Sequence, residues 1–168
     1  AMALSPGGNV LYVGGDFTNI NGKARNRLAA LDTRVTANID RGWNPDANAT
    51  VRAMDLSSDG LMLYVGGDFT AFSGGTKVHN HVAALNTAVT VNIATACDVE
   101  VGGGSVYAMA LSVDDATLYV GGSFTTIAGT IRNGIAALNS AVVSASVPEP
   151  VTSTQCANID RGWEPNVG

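Results

Sequence analysis

The sequence predicts an all-β fold built from three copies of one small antiparallel sheet. The run Leu-Tyr-Val-Gly-Gly, followed by Asp or Ser and then Phe-Thr, starts at Leu11, Leu63 and Leu118, so successive copies lie 52 and 55 residues apart. The many Val, Thr and Tyr residues and the 20 glycines suit short strands joined by tight turns. No segment keeps the apolar spacing of a long helix. We therefore expect short strands and almost no helix.

The middle copy shows how one unit is predicted to fold. Its inner strand covers residues 51–57, the Asp-Gly turn covers 58–60, the second strand covers 61–67, a loop covers 68–79, and the third strand covers 81–86. The matching third strands cover residues 27–32 and 134–139, and outer fourth strands are predicted at 35–39 and 89–94. Four strands per copy is the pattern of a β-propeller blade.

The repeat divides the chain into three predicted blades. Blade 1 covers residues 1–50, blade 2 covers 51–105, and blade 3 covers 106–168 with an inserted loop near 140–157. Aromatic residues recur at two equivalent sites and are predicted to pack between blades, since large rings dominate interior packing. They are Tyr12, Tyr64 and Tyr119, and Phe17, Phe69 and Phe124.

Composition excludes two classes of partner. The formal net charge is −5, and the nine basic residues are spread over all three copies, so nucleic acid is not expected to bind. No apolar run approaches the roughly 18 residues of a membrane-spanning helix. The chain is 46% hydrophobic and 14% charged, as is typical of a globular protein with a substantial core.

Several motifs recur beside the double glycine. An Arg-Asn or His-Asn pair precedes the apolar third strand, and a Trp-x-Pro motif follows at Trp43 and Trp163. Together these motifs resemble kelch-like β-propeller repeats, and more closely the bacterial delta-sixty repeat. The resemblance implies an extracellular or cell-surface protein with no general enzymatic activity. We expect a non-catalytic β-propeller segment with a structural or adhesive role, through self-association or as part of a larger surface protein or filament, and the alternative is a lectin-like propeller that binds carbohydrate or protein. The middle copy departs from it, since residues 95–98 replace the Asp-Arg-Gly-Trp of residues 40–43.

Three blades are too few to close a propeller, which typically has about four to eight. The predicted partners are therefore a second copy in a homodimer of 3 + 3 blades, further copies joined head to tail, or missing blades of a longer chain. Head-to-tail contacts that do not close produce filaments.

No catalytic or metal-binding group is evident in the sequence. His79-Asn80-His81 matches the positions of Arg25-Asn26-Arg27 and Arg132-Asn133-Gly134, and replacement by arginine argues against metal ligation. No serine lies in a Gly-x-Ser-x-Gly turn. We expect a protein that is not an enzyme and needs no cofactor.

Two further features of the sequence are candidate sites. Loop residues expected on one face of the blades are a predicted ligand site for glycan or protein, namely Asp16, Arg25, Asp68, His79 and Arg132. The alternative for each is a solvated rim whose charges pair across blades. Cys97 and Cys156 are predicted to form a disulfide, with two unpaired buried thiols as the alternative.

Overall fold

A computed structural model describes residues 1–36, 41–88, 99–140, 162, 163 and 165. Within these residues the main strands of each predicted repeat form one antiparallel sheet of three strands, and the described residues contain one further three-stranded sheet and two sheets of two strands. Blade 1 contains β1 (Met2–Leu4), β2 (Val10–Gly14), β3 (Asn19–Ile20), β4 (Lys23–Ala24) and β5 (Leu28–Asp32). Blade 2 contains β6 (Val51–Leu56), β7 (Met62–Gly67), β8 (Ala71–Phe72), β9 (Lys77–Val78) and β10 (Val82–Asn86). Blade 3 follows β11 (Val101–Gly102) and contains β12 (Val106–Leu111), β13 (Thr117–Gly122), β14 (Thr126–Ile127), β15 (Thr130–Ile131) and β16 (Ile135–Asn139).

The inner, second and third strands pair in the predicted order. The sheets are β1-β2-β5, β6-β7-β10 and β12-β13-β16, with the second strand in the middle of each. The all-β fold class is confirmed, and the described residues contain one short 3₁₀ helix, Ser73–Gly75.

The loop between the second and third strands contains a small hairpin in every blade, which the sequence analysis missed. In blade 2 the predicted loop 68–79 contains β8, the 3₁₀ helix and β9. In blade 1 the turn is Asn21-Gly22, with φ of 52° and 77°. Two residues with positive φ make the type I′ turn that suits a hairpin.

The inner strand contains a β-bulge in blades 2 and 3. Val51 faces Gly67 and Ala53 faces Gly66, so Arg52 is the extra residue. Val106 faces Gly122 and Ala108 faces Gly121, so Tyr107 is the extra residue in blade 3. A bulge bends the strand and redirects the side chain of the extra residue. Both redirected side chains are exposed.

The turn after the inner strand is organised by a serine in each blade. The Ser57 hydroxyl accepts a hydrogen bond from the Met62 amide at 2.9 Å and donates one to Asp59 at 2.6 Å. Ser5 and Ser112 accept the matching amide bonds in blades 1 and 3. The bond from Ser57 lowers the pKa of Asp59 below its ordinary value.

The hydrophobic core lies between successive blades. One cluster joins blade 1 to blade 2 and includes Tyr12, Leu28, Val51, Leu63, Val65, Phe69 and Phe72. A second joins blade 2 to blade 3 and includes Tyr64, Val82, Val106, Leu118, Val120, Phe124 and Ile127. Blade 2 therefore packs one face against blade 1 and the other against blade 3.

Several predicted features lie outside the described residues. They are the fourth strand at 89–94, nearly all of the insertion near 140–157, and both Cys97 and Cys156. Of the fourth strand predicted at 35–39, only Val35 and Thr36 are described, and they are not in a strand. The blade boundaries stay predictions. Among the described residues, no helix has the length and apolar character needed to cross a membrane.

Candidate functional site

Three of the predicted site residues occupy one equivalent position in successive blades. The amides of Arg25, His79 and Arg132 donate to the carbonyls of Thr18, Thr70 and Thr125, at 3.0, 3.1 and 2.9 Å. Arg25 is half-buried, whereas His79 and Arg132 are buried. The shared backbone bond places one of these residues on each blade. Nothing in the described contacts brings the three side chains together.

The His79 side chain is buried and lies near an aromatic ring. Its ring is 6.3 Å from the Phe72 ring, in an edge-on arrangement. Among the described residues, no group of three His, Cys, Asp or Glu side chains is placed to hold a metal ion. The geometry around His79 is that of a packed aromatic side chain.

Asp68 belongs to a polar cluster, here called the Arg52 cluster, that contains Arg52, Asp68, Tyr107 and Ser123. Arg52 donates two hydrogen bonds of 2.7 Å to the Asp68 carboxylate. Its guanidinium carbon lies 5.5 Å from the centre of the Tyr107 ring, and the Tyr107 hydroxyl lies 3.0 Å from that of Ser123. Since Arg52 and Asp68 are in blade 2 and the others are in blade 3, the cluster bridges two blades.

The two hydrogen bonds between Arg52 and Asp68 stabilise the charged forms of both side chains. The hydrogen bonds from Arg52 lower the pKa of Asp68, and those from Asp68 raise the pKa of Arg52. Asp16 in blade 1 is exposed and lies 3.9 Å from Arg27, and its charge adds a smaller attraction at Arg52. Of the predicted set, Asp68 therefore pairs with Arg52, whereas Asp16 lies beside Arg27.

Sequence reasoning missed Arg52 and Tyr107. Both follow a valine and precede an alanine at the same place in the inner strand. An exposed Arg or Tyr within an apolar strand, repeated in two copies, was the available signal. The bulge that redirects these side chains depends on pairing with the second strand, and the sequence alone does not show it.

The contact between blades depends on the first glycine of each pair. A Cβ added at Gly14 would lie 2.6 Å from the terminal methyl carbon of Met54, and one added at Gly66 would lie 2.6 Å from a methyl carbon of Val106. Such distances are far below ordinary van der Waals contact. Glycine is required at these two positions because the inner strand of the next blade packs directly on the second strand.

Trp43 also takes part in the contact between blades 1 and 2. Its ring meets the Tyr12 ring edge-on at 5.4 Å, and its indole N–H donates to the carbonyl of Asn86 at 3.2 Å. Trp43 is 4% exposed. Trp43 follows β5 of blade 1 in sequence, yet it bonds to the end of β10 in blade 2, so it joins the two blades.

Among the described residues, no blade covers the same face of blade 3. The nearest atom to a Cβ added at Gly121 would be the Gly134 oxygen, at 3.9 Å. Tyr119 is 40% exposed, against 5% for Tyr12 and 3% for Tyr64. Trp163 packs edge-on against Tyr119 at 5.6 Å, as Trp43 does on Tyr12, but it is 42% exposed. This surface, defined by Tyr119, Gly121 and Trp163, is here called the blade 3 end face.

The opposite face of blade 1 is likewise not covered by any blade in the part of the chain that the structure describes. Met2 is 72% exposed, whereas the equivalent Met54 and Met109 are half-buried against the preceding blade. Leu11, Val13 and Phe17 are half-buried, whereas their equivalents in blade 2, Leu63, Val65 and Phe69, are fully buried. These residues define the blade 1 end face.

The comparison with protein families agrees with this architecture. A family model described as "Domain of unknown function (DUF5122) beta-propeller" matches residues 9–33, which include β2 through β5 of blade 1. The chain has a β-propeller repeat fold. The match supports a propeller repeat in general and does not distinguish the kelch-like or delta-sixty type. No curated protein matches the chain. In the described propeller the ring of blades is not closed.

Proposed function

We propose that this chain is a non-catalytic propeller segment with a structural or adhesive role, which acts by self-association at the cell surface or outside the cell. The observation that favours this function is the pair of uncovered end faces. An apolar surface that is buried twice within the chain is left exposed once at each end. Exposed apolar patches of this kind mark sites of protein association.

The other parts of the proposal have separate support. The resemblance to kelch-like and delta-sixty repeats favours the extracellular location and the lack of catalysis. The described polar groups also favour a structural role, because Arg52 and Asp68 satisfy each other and His79 packs on Phe72. Charges that pair with each other stabilise a scaffold and leave little free chemistry for a substrate.

Light scattering after size exclusion, over a concentration series, tests self-association. We expect a mass that rises above the chain mass of 17.1 kDa, either to a dimer or to a ladder of species. Gly121→Ala should weaken the association by roughly tenfold, because overpacking an interface costs about 1–3 kcal/mol and 1.4 kcal/mol is tenfold. The folded monomer should keep its melting temperature, since the added Cβ meets no atom closer than 3.9 Å.

Gly7→Ala is the matched control for this experiment. Gly7 lies in the first hairpin turn, where a Cβ would meet only the Asn9 side chain, at 3.3 Å. Its association should equal that of the wild type. A wild-type chain that stays at its monomer mass at every concentration would contradict the proposed function.

A lectin-like function is the second candidate, and the Arg52 cluster favours it. Tyr107 is half-exposed beside the Arg52–Asp68 pair, and an aromatic ring next to polar groups suits the apolar face and hydroxyls of a sugar. On a glycan array, binding by the wild type should be lost in Tyr107→Ala and kept in Val113→Ala, a fully exposed control. Absence of any wild-type signal removes this candidate.

A further inference from the structure

We propose that the blade 3 end face binds the blade 1 end face of a second copy, in the register that joins successive blades within the chain. This inference rests on the proposed function and names its partner. Two contacts inside the chain, from blade 1 to blade 2 and from blade 2 to blade 3, provide the template. Each end face is one half of that template.

The first match is between methionine and glycine. In the two internal contacts, Met54 lies over Gly14 and Met109 lies over Gly66. Met2 occupies the same position in β1, four residues before Pro6, where the turn begins. Its side chain is exposed. Gly121 offers the open position that the pattern requires. A methionine is flexible and fills an irregular gap well.

The second match concerns Trp163. Trp43 donates its indole N–H to the carbonyl of Asn86, the last residue of β10. The equivalent residue in blade 1 is Asp32, the last residue of β5. The amide after each of them bonds in the same way, Thr87 to Leu61 and Thr33 to Asn9. We therefore place Trp163 of one copy against the Asp32 carbonyl of the other.

The side chain of Asp32 does not bring an uncompensated charge to this contact. Its carboxylate is paired with Arg34 at 2.7 Å and with Arg41 at 2.9 Å, so its charge is compensated locally. The acceptor in the template is a main-chain carbonyl, which Asp32 supplies as well as Asn86 does. The change from Asn to Asp therefore leaves the required acceptor in place.

The alternative register, two blade 3 end faces packed together, lacks the complementary shape. That face contains the open glycine position and the exposed Tyr119 ring, but the methionine that packs over the glycine in both internal contacts comes from the opposite face. Two such faces would leave both open positions unfilled, and unfilled space in an apolar contact is unfavourable. The heterologous register is favoured because each copy then contributes one half of a contact already present twice.

Site-specific photocrosslinking tests the register. The photoreactive residue benzoylphenylalanine replaces Trp163, and the labelled chain is mixed with ¹⁵N-substituted wild type at a concentration where association occurs. After irradiation and trypsin digestion, we expect mixed-isotope crosslinks to the peptide of residues 28–34, which contains Asp32 and is released by cleavage after Arg27 and Arg34. The same probe at Val113, which is fully exposed, should give no such crosslink.

The outcomes separate this inference from the proposed function. Mixed-isotope crosslinks to peptides of blade 3 would overturn the register while leaving self-association intact. Crosslinks within one copy alone, in a sample that light scattering shows to be associated, would also overturn it. A sample that never associates would contradict the proposed function itself, and the register with it.

Discussion

Gly67→Ala is expected to destabilise the protein by about 3 kcal/mol or more, at or beyond the upper end of typical overpacking costs. A Cβ at this position would lie 2.2 Å from the carbonyl oxygen of Thr50 and 3.0 Å from the Cα of Val51. Both are main-chain atoms at the start of the inner strand, so no flexible side chain can move aside. In a chain of this length, 1 kcal/mol shifts the melting temperature by roughly 2–4 °C. Thermal unfolding followed by circular dichroism should show a fall of at least about 6 °C.

Gly15→Ala is the matched control, since Gly15 is the equivalent residue of blade 1. Its added Cβ would meet only the Phe17 ring, at 3.5 Å, which is ordinary contact. The melting temperature should therefore change little. Equal losses in the two variants would show that the double glycine is needed for its own backbone conformation and not for the approach of the inner strand. If Gly67→Ala does not fold, Gly66→Ala provides a milder case, because its closest neighbours are side chains.

The repeat allowed the main strands to be predicted closely. The second strand was predicted over residues 61–67 and is Met62–Gly67, and the third was predicted over 81–86 and is Val82–Asn86. Those strands follow from local patterns of apolar residues and turn residues that recur three times. The small hairpins were missed although Asn21-Gly22 is a strong hairpin signal, because their strands of two residues are too short to show alternation.

The site was predicted only in part, for a geometric reason. Equivalent residues of a repeat lie on different blades, so the recurrence that made Arg25, His79 and Arg132 conspicuous does not by itself bring their side chains together. Asp68 does join a polar cluster, but its partner Arg52 reaches it from a bulge that forms only when the sheet is paired. Contacts between blades depend on tertiary packing and cannot be obtained from the pattern within one copy.

The end faces connect the packing of the core to the proposed function. Within the chain, each blade packs on a surface of the preceding blade that contains a glycine and a tyrosine. At the contact between blades 1 and 2, a tryptophan is also part of this surface. The same three residue types form the blade 3 end face, where they are exposed. The core contacts and the proposed association surface are therefore built from the same residue types, which are covered in one place and exposed in the other. A substitution should have different effects in the two places.

Phe69→Ala should accordingly be among the most damaging substitutions, with an expected loss of about 3–5 kcal/mol. Phe69 is fully buried between blades 1 and 2, and its ring centre lies 4.7 Å from that of Phe72. Removing the ring leaves a cavity that the surrounding sheet cannot fill. Urea unfolding of the monomer, at a concentration below that of association, measures the loss. Phe69→Leu keeps more of the volume and provides a folded variant if the alanine variant does not fold.

Phe17→Ala tests the same position on the uncovered face of blade 1. Phe17 is equivalent to Phe69 but is only half-buried, so its loss from the monomer should cost clearly less. In the associated state a second copy is proposed to cover Phe17, and the difference between the two variants should then narrow as protein concentration rises. Equal losses in the monomer would contradict the view that blade 1 lacks a covering neighbour. A difference that stays constant through association would show that the second copy binds elsewhere.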